Sequence, residues 1–306
     1  MKSFAIIGTG AVGSYYGGRL AQAGNKVRFL LRSDYEIVRE QGLKVESIHG
    51  DFQLPEVSCA QTPEEIGPVD IVIIAWKTTA NEYFDQTVSP LLHEGTVILT
   101  LQNGLGNVEQ LGEIFGSERV LGALCFVCIN RLAPGVISHT GGGNITVGES
   151  SPGITPRLKE LVEIFNEAGV RTEAVSNLGE AQWRKLVWNV PFNGLCITEG
   201  GIDTEVLLAL RDGETRVREL MIEVLLGADA LGFEIEEEFS EVQIKRTYPM
   251  GPYRPSSMID FVEHRPVEVE AIWGEPLRRA EAVGAALPKM RALYEQILTL
   301  TVRGDE

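Results

Sequence analysis

The chain opens on residues 4–13, FAIIGTGAVG, which a helical pattern from Ser14 to Ala23 follows. An apolar strand, glycines spaced G-x-G-x-x-G and a helix, in this order, are typical of a dinucleotide-binding fold rather than of a plain tight turn. The first glycine makes the turn, the second leaves room for a pyrophosphate, and the third lets helix and strand pack closely. The helix N-terminus offers N–H groups to the phosphates. The predicted cofactor contacts are Gly8, Thr9, Gly10, Ala11, Val12 and Gly13.

The end of the second predicted strand, residues 26–31, indicates which dinucleotide is bound. An NAD site carries Asp or Glu here to hold the ribose 2′-OH, whereas this strand runs into Arg32 and Ser33. A guanidinium pairs well with a 2′-phosphate, so the sequence predicts NADP(H). Asp34 is a rival ribose ligand. Alternatively, Arg32 is a solvated loop charge and Ser33 or Asp34 caps the helix over residues 35–41.

Length and composition narrow the class of protein. The 306 residues suffice for two domains, and 44% hydrophobic with 23% charged residues is ordinary for a globular protein. The formal charge of −16 argues against nucleic acid or an anionic membrane as partner. It also means that an anionic substrate needs a local cationic pocket.

The cysteines and apolar runs bear on metal binding and location. Cys125 and Cys128 form C-x-x-C inside an apolar stretch, with no second Cys or His pair, so we expect buried strand thiols and no metal. Four cysteines in this length are no disulfide framework. The N-terminal apolar run is accounted for as a strand rather than a signal peptide, and no run reaches membrane-spanning length. The expectation is a cytoplasmic protein.

Strand and helix signals alternate through the first half of the chain. Beyond Asn177, long helical patterns dominate. The prediction is an α/β protein, with an N-terminal Rossmann-type doubly wound sheet as NADP-binding domain (residues 1–176) and a C-terminal all-helical substrate and dimerisation domain (residues 177–306). Chemistry is expected in the cleft between them. The further predicted elements are strands over 70–76, 95–100, 120–129, 135–139, 144–147 and 170–175, and helices over 79–88, 155–168, 178–192, 205–210, 214–231, 236–245, 267–283 and 288–301.

Two polar residues follow buried strands of the first half. Lys77 comes after the strand over residues 70–76, and Asn103 after the strand over residues 95–100. Ligands of open α/β sheets lie beyond the carboxyl ends of strands, so both residues are predicted to face the cofactor. For Asn103-Gly104 the alternative is a simple turn.

The helix that opens the second half carries a polar stripe. Lys185, Asn189 and Asn193 recur every four residues and share one helical face. Such a stripe can hold a carboxylate, a carbonyl oxygen and a hydroxyl, and an ammonium can protonate a developing alkoxide. Pro191 is expected to kink the helix. The alternative is a surface helix with ordinary polar positions.

A second polar cluster lies further along. Ser256 could donate to a carboxylate, and Asp260, Glu268 or Glu270 could accept a substrate hydroxyl. Alternatively, Ser256 or Ser257 caps a helix, and Glu268 and Glu270 lie on an exposed first turn after Pro266.

These motifs together resemble the ketopantoate reductase family. The resemblance runs from residue 4 to about residue 280 and rests on the glycine turn with Arg32, on residues 101–104 and 183–193, and on Ser256 with residues 265–268. It implies an NADPH-dependent oxidoreductase, 2-dehydropantoate 2-reductase, of pantothenate and coenzyme A biosynthesis. Its expected partner is a small 2-oxo acid. The sequence does not fix the oligomeric state: the apolar helices after residue 204 could pack within one chain or form a homodimer through the helical domain.

The resemblance also implies roles for single residues. Lys185 matches the catalytic lysine that protonates the ketone oxygen. Asn189, Asn193 and Ser256 match substrate-binding residues. Glu268 matches the glutamate that accepts the substrate hydroxyl and also lies at the cofactor. Arg32 and Lys77 match cofactor contacts, and Asn103 matches a residue near both the cofactor and the substrate.

Two positions depart from the family pattern. Pro191 precedes the second asparagine, where many members have a proline after it, and Asp203 replaces a further substrate asparagine. An added carboxylate would disfavour a carboxylate substrate. Two other functions therefore stay open. One is a paralogous NADP-dependent dehydrogenase of another 2-oxo or 3-hydroxy acid, and the other is a non-catalytic NADPH sensor.

Overall fold

A computed structural model describes residues 2–302, which divide into two compact units. The first unit comprises residues 2–103 and 107–178, and the second comprises residues 104–106 and 179–302. The division after Leu178 lies two residues beyond the predicted boundary. The short stretch 104–106 leaves the first unit immediately after Asn103.

Within residues 2–178, one sheet of ten strands organises the first unit, in the order β4-β3-β9-β8-β7-β6-β1-β2-β5 with β10 beside β9. The strands are β1 (Ser3–Ile7), β2 (Lys26–Leu30), β3 (Leu43–Ser47), β4 (Phe52–Leu54), β5 (Cys59–Ala60), β6 (Ile71–Ile74), β7 (Val97–Thr100), β8 (Val120–Ala133), β9 (Val136–Glu149) and β10 (Thr172–Val175). The central strands β2, β1, β6 and β7 are parallel, and β8 and β9 form an antiparallel hairpin.

Helices cover both faces of this sheet. They are α1 (Ala11–Gln22), α2 (Tyr35–Gln41), α3 (Pro63–Ile66), α4 (Phe84–Val88), α5 (Asn107–Phe115) and α6 (Pro156–Glu167), with 3₁₀ turns over Thr78–Tyr83, Ser89–Leu91 and Ser117–Arg119. In β1, Phe4 and Ile6 join one apolar cluster and Ala5 and Ile7 join another. Because successive side chains point to opposite faces, a wholly apolar strand indicates burial on both sides. The doubly wound Rossmann-type prediction is confirmed.

The second unit is helical and has one apolar core, in which Trp183 and Trp273 are fully buried. Its helices are α7 (Leu178–Thr198), α8 (Thr204–Ala209), α9 (Gly213–Ala230), α10 (Glu238–Thr247), α11 (Ser256–Val262), α12 (Glu275–Ala282) and α13 (Pro288–Val302), with a 3₁₀ turn over Tyr248–Met250 and a π-helical turn over Glu270–Gly274.

Several predicted boundaries were wrong. The strands expected over residues 135–139 and 144–147 are one continuous strand, β9, whose glycines accommodate register shifts against β8. The helix expected from residue 79 begins as a 3₁₀ turn. Helix α7 runs through Pro191 to Thr198, because the residues beyond the proline are buried in the core. Residues 265–268 are not helical, and the π turn follows them.

Candidate active site

Backbone packing around the glycine turn explains two of its three glycines. Gly8 has φ +86°, and a Cβ there would lie 2.1 Å from the main-chain nitrogen of Trp76. A Cβ on Gly13 would lie 2.4 Å from the Gly8 carbonyl oxygen. At Gly10 a Cβ would meet no atom within 4 Å. The turn is therefore closed against the protein at Gly8 and Gly13 and open at Gly10, where a pyrophosphate would approach.

The start of α1 suits an anion. Gly10 is the N-cap and brings no side chain to the first-turn amides, while Ala11 and Val12 are half-buried. The Thr9 hydroxyl donates to the Leu30 carbonyl (2.7 Å), which ties the turn to the end of β2. Uncapped N–H groups at a helix N-terminus are a phosphate-binding arrangement. These residues fit a dinucleotide.

An ion pair occupies the position after β2 where an NAD site keeps a free acid. Arg32 and Ser33 are exposed. Asp34 is 6% exposed, and both of its carboxylate oxygens accept from Nη1 of Arg131 at 2.7 and 2.6 Å. The Ser33 hydroxyl donates to the same carboxylate (3.0 Å). Asp34 is the N-cap residue of α2 but makes no side-chain capping bond. Asp34 is therefore the N-cap residue by position, while its carboxylate is engaged by Arg131 and Ser33 and not by a helix N–H.

Lys77 and Asn103 follow β6 and β7, and both are half-buried. Lys77 is the N-cap residue of the 3₁₀ turn over Thr78–Tyr83. The step from Asn103 to Gly104 is more than a simple turn. Gly104 has φ +80°, and a Cβ there would lie 2.2 Å from the Ala271 carbonyl oxygen. The same carbonyl, inside the π turn, accepts from the Leu105 N–H (2.9 Å).

A chain of side-chain amides, which the sequence analysis missed, holds the main chain at Asn103. Gln102 donates to Asn81 (2.8 Å), Asn81 donates to Asn107 (2.9 Å), and Asn107 donates to the Asn103 carbonyl (3.0 Å). Thr100 donates to the amide oxygen of Gln102 (2.9 Å). The only signal in the sequence is an excess of Asn and Gln after two strands.

The polar stripe of α7 is not a surface feature. Lys185 is half-buried, and Asn189 and Asn193 are 9% and 2% exposed. The Asn193 amide nitrogen donates to the Asn189 carbonyl (3.1 Å), and its oxygen accepts from the Ser257 N–H (2.9 Å). Asn193 is a predicted substrate-binding residue, and its amide oxygen holds the first turn of α11 while its amide nitrogen bonds back within α7.

The residues of the second polar cluster, Ser256, Glu268 and Glu270, differ in exposure. Ser256 is exposed at the start of α11. The N-cap residue of α11 is Pro255, and neither Ser256 nor Ser257 caps the helix with its side chain. Glu268 is 8% exposed, so its placement on an exposed first turn is wrong. Glu270 is exposed and binds Arg278 (2.7 Å) and the Tyr294 hydroxyl (2.6 Å).

Two further acids of the second unit have structural partners. Asp260 is 2% exposed and accepts from Nε of Arg265 (3.0 Å). Asp203, a departure from the family pattern, caps α8 by accepting from the Val206 N–H (2.9 Å).

Gly194 follows Asn193 where a proline is common, and a Cβ there would lie 2.6 Å from Leu293. Asp203 and Gly194 thus serve helix capping and close packing.

The four cysteines are free thiols, two of them buried. Cys125 is buried on β8 and Cys128 is half-buried. Burial raises the pKa of the Cys196 thiol on α7 to about 12, so this thiol stays protonated at neutral pH.

Across residues 2–302 no group of three or more His, Cys, Asp or Glu side chains is placed to hold a metal. No helix in that range has both the length and the apolar character to cross a bilayer.

The doubly wound sheet, the open glycine turn and the helical second unit define a two-domain, dinucleotide-dependent oxidoreductase. The chain belongs to the ketopantoate reductase family. The model "Ketopantoate reductase PanE/ApbA" matches residues 4–152, and "Ketopantoate reductase PanE/ApbA C terminal" matches residues 177–300.

Individual relatives agree over nearly the whole chain. A Nostoc protein named 2-dehydropantoate 2-reductase is 42% identical, covering 99% of this chain and 96% of its own. The crystal structure of 2-dehydropantoate 2-reductase from Geobacter metallireducens is 44% identical, with a TM-score of 0.94 over 98% of this chain and 99% of its own. D-mandelate dehydrogenase, solved with NADH and anilino(oxo)acetate, shares the fold at 22% identity, with a TM-score of 0.91 over 99% and 100% of the two chains.

Proposed function

We propose that this protein is a 2-dehydropantoate 2-reductase, which uses NADPH to reduce the C2 ketone of 2-dehydropantoate to the alcohol of pantoate in pantothenate and coenzyme A biosynthesis. The observation that carries the proposal is the 42% identity, over almost the full length, with a relative of that name. The buried and half-buried polar residues of the second unit support it, because Lys185, Asn189 and Glu268 are withdrawn from bulk solvent.

The proposed cofactor residues belong to the first unit, apart from Glu268. The glycine turn from Gly8 to Gly13 would hold the pyrophosphate, Arg32 would pair with the 2′-phosphate, and Lys77 and Asn103 would lie near the bound cofactor. When bound, NADPH supplies a hydride to the ketone carbon. The open space at Gly10 and the absence of a side-chain cap on α1 support this assignment.

The proposed substrate residues belong to the second unit, together with Asn103. Lys185 donates a proton to the ketone oxygen as the hydride arrives, and its charge stabilises the developing alkoxide. Asn189 and Ser256 bind the substrate's polar groups, and Glu268 accepts its primary hydroxyl and also lies at the cofactor. Asn193 acts through the fold, since its amide holds α11.

The decisive experiment is NADPH oxidation with a panel of 2-oxo acids. It compares 2-dehydropantoate with 2-oxoisovalerate, which lacks the primary hydroxyl, and with phenylglyoxylate, with NADH as the cofactor control. We expect the highest kcat/KM for 2-dehydropantoate with NADPH. A higher value for either other acid would indicate a paralogous dehydrogenase. NADPH binding without turnover of any acid would indicate a sensor.

Glu268→Ala sharpens the same experiment. If Glu268 accepts the primary hydroxyl, the variant loses more kcat/KM for 2-dehydropantoate than for 2-oxoisovalerate. The expected loss is at least about tenfold, the low end for one hydrogen bond to a charged group. Equal losses with both acids would remove this role from Glu268.

We also propose a homodimer formed through the helical unit. Val206, Leu226 and Val242 are exposed apolar side chains on three of its helices, at 45%, 51% and 54% exposure. Light scattering after gel filtration tests this, with a monomer mass as the contrary result. A cytoplasmic location fits the four cysteines, all of which are free thiols.

A further inference from the structure

The ion pair between Asp34 and Arg131 joins residues 97 positions apart in the sequence. Its acid is buried, while the Arg131 side chain is 45% exposed. Asp34 lies two residues after Arg32, the residue predicted to pair with the 2′-phosphate. The catalytic proposal does not use this ion pair.

The fold brings Arg131 to this place through the β8–β9 hairpin. Arg131 pairs with Ile137 in the register of the hairpin, and a register shift follows it before Ala133. The hairpin tip is anchored, because the Lys44 N–H donates to the Gly135 carbonyl (2.8 Å). A Cβ on Gly135 would lie 3.2 Å from Val38 of α2, the helix that starts after Asp34. The pairing thus belongs to the packing of the hairpin tip on α2.

The charges around this pair bear on cofactor choice. An acid after the second strand binds a ribose 2′-OH and repels a 2′-phosphate. Arg131 neutralises that acid here, so Arg32, Asp34 and Arg131 together carry one positive charge. Without Arg131 the charges of Arg32 and Asp34 would cancel, in a chain whose formal charge is −16.

We propose that Arg131 determines the preference for NADPH over NADH by neutralising Asp34 and holding its carboxylate away from the ribose. The inference rests on the proposed function, since it takes NADP(H) as the cofactor. Arg131 is a positioning residue in this role: it acts on the cofactor through Asp34.

The test measures dissociation constants for NADP⁺ and NAD⁺ by calorimetry, without turnover. In Arg131→Gln, binding of NADP⁺ should weaken about fivefold to tenfold, the effect of one charge beside another at a solvated site. Binding of NAD⁺ should change less than twofold. Adding Asp34→Asn should restore NADP⁺ binding to within about twofold of wild type, because the acid that needed neutralising is gone.

A matched control is Arg157→Gln. Arg157 also pairs with a buried acid, Glu149, but at the opposite end of the same hairpin. It should leave the affinity ratio unchanged, so a shift there would show that losing any such ion pair perturbs the site. Circular dichroism checks that each variant folds. If Arg131→Gln does not fold, the ratio of NADP⁺ to NAD⁺ affinity is measured instead in the double variant and in Arg131→Lys, which keeps the charge. Both ratios are compared with that of the wild type.

The outcomes separate this inference from the proposed function. A wild-type protein that binds both dinucleotides equally contradicts the cofactor assignment and the inference together. A wild-type preference for NADP⁺ that persists in Arg131→Gln overturns the inference alone. A lost preference that Asp34→Asn fails to restore overturns neutralisation as its cause.

Discussion

The proposed site of the first unit consists mainly of main-chain groups, whereas that of the second unit consists of side chains. In the first unit the glycine turn offers main-chain N–H groups and open space, and its one polar side chain, that of Thr9, donates to the Leu30 carbonyl. In the second unit the proposed site consists of side chains on α7 and α11 and of Glu268. A site made of backbone depends on local conformation, whereas a site made of side chains depends on the packing of distant helices.

The largest effect in this comparison is expected at Lys185. Lys185→Ala should lower kcat at least about a hundredfold, because the alkoxide loses its proton donor and its positive neighbour. Binding of NADP⁺ should be unchanged, since Lys185 is not among its proposed contacts. Steady-state kinetics with 2-dehydropantoate, together with calorimetry for the cofactor, checks both.

Arg184 provides the control for this prediction. It precedes Lys185 on α7 but pairs with Glu180 (2.9 Å) and Glu236 (3.2 Å). Arg184→Ala removes a helix charge without touching the proposed proton donor, so kcat should stay within about threefold of wild type. Wild-type turnover in Lys185→Ala would refute the catalytic assignment.

Substitutions at Gly8 and Gly10 should disturb the first unit's site in two different ways. Gly8→Ala places a Cβ against the Trp76 main chain at positive φ, and it should destabilise the protein on the order of 3 kcal/mol. Gly10→Ala meets no protein atom and should leave Tm nearly unchanged, while NADP⁺ affinity falls at least about tenfold. Thermal melts and calorimetry separate the two. Unchanged affinity in Gly10→Ala would remove the pyrophosphate from this turn.

The same contrast explains what the sequence could predict. The β1–turn–α1 unit and the double winding follow from local glycine spacing and wholly apolar strands, which need no knowledge of distant residues. The partners of Asp34 and Asn193 lie 97 and 64 residues away, so no local pattern indicates them. The spacing of the stripe on α7 was visible, but spacing does not say which amide the fold itself uses.

Asn189 and Asn193 test that distinction within one helix. Asn193→Ala should lower the free energy of unfolding by about 1–3 kcal/mol, because the buried Ser257 N–H loses its acceptor. Asn189→Ala should cost less stability and raise KM for 2-dehydropantoate more, since Asn189 gives Asn193 only its main-chain carbonyl. Urea unfolding and steady-state kinetics measure both. The reverse ranking would exchange their roles.

The smallest effect is expected at His139, which lies beside His49 and Arg19 in the first unit. We expect this group of residues to contribute to stability and not to cofactor binding. Burial lowers the pKa of His139, and the neighbouring His49 and Arg19 lower it further, against the carbonyls of Gly141 and Gly142. His139 therefore takes up a proton at lower pH in the folded protein than in the unfolded chain, where a histidine titrates near about pH 6.5. The free energy of unfolding should fall as the pH drops below that value, and His139→Gln should flatten this part of the profile. Urea unfolding between pH 7.5 and 5.5 measures the change, and NADP⁺ affinity over the same range should follow the wild type in the variant. An equal slope in wild type and variant would assign the proton uptake to another group.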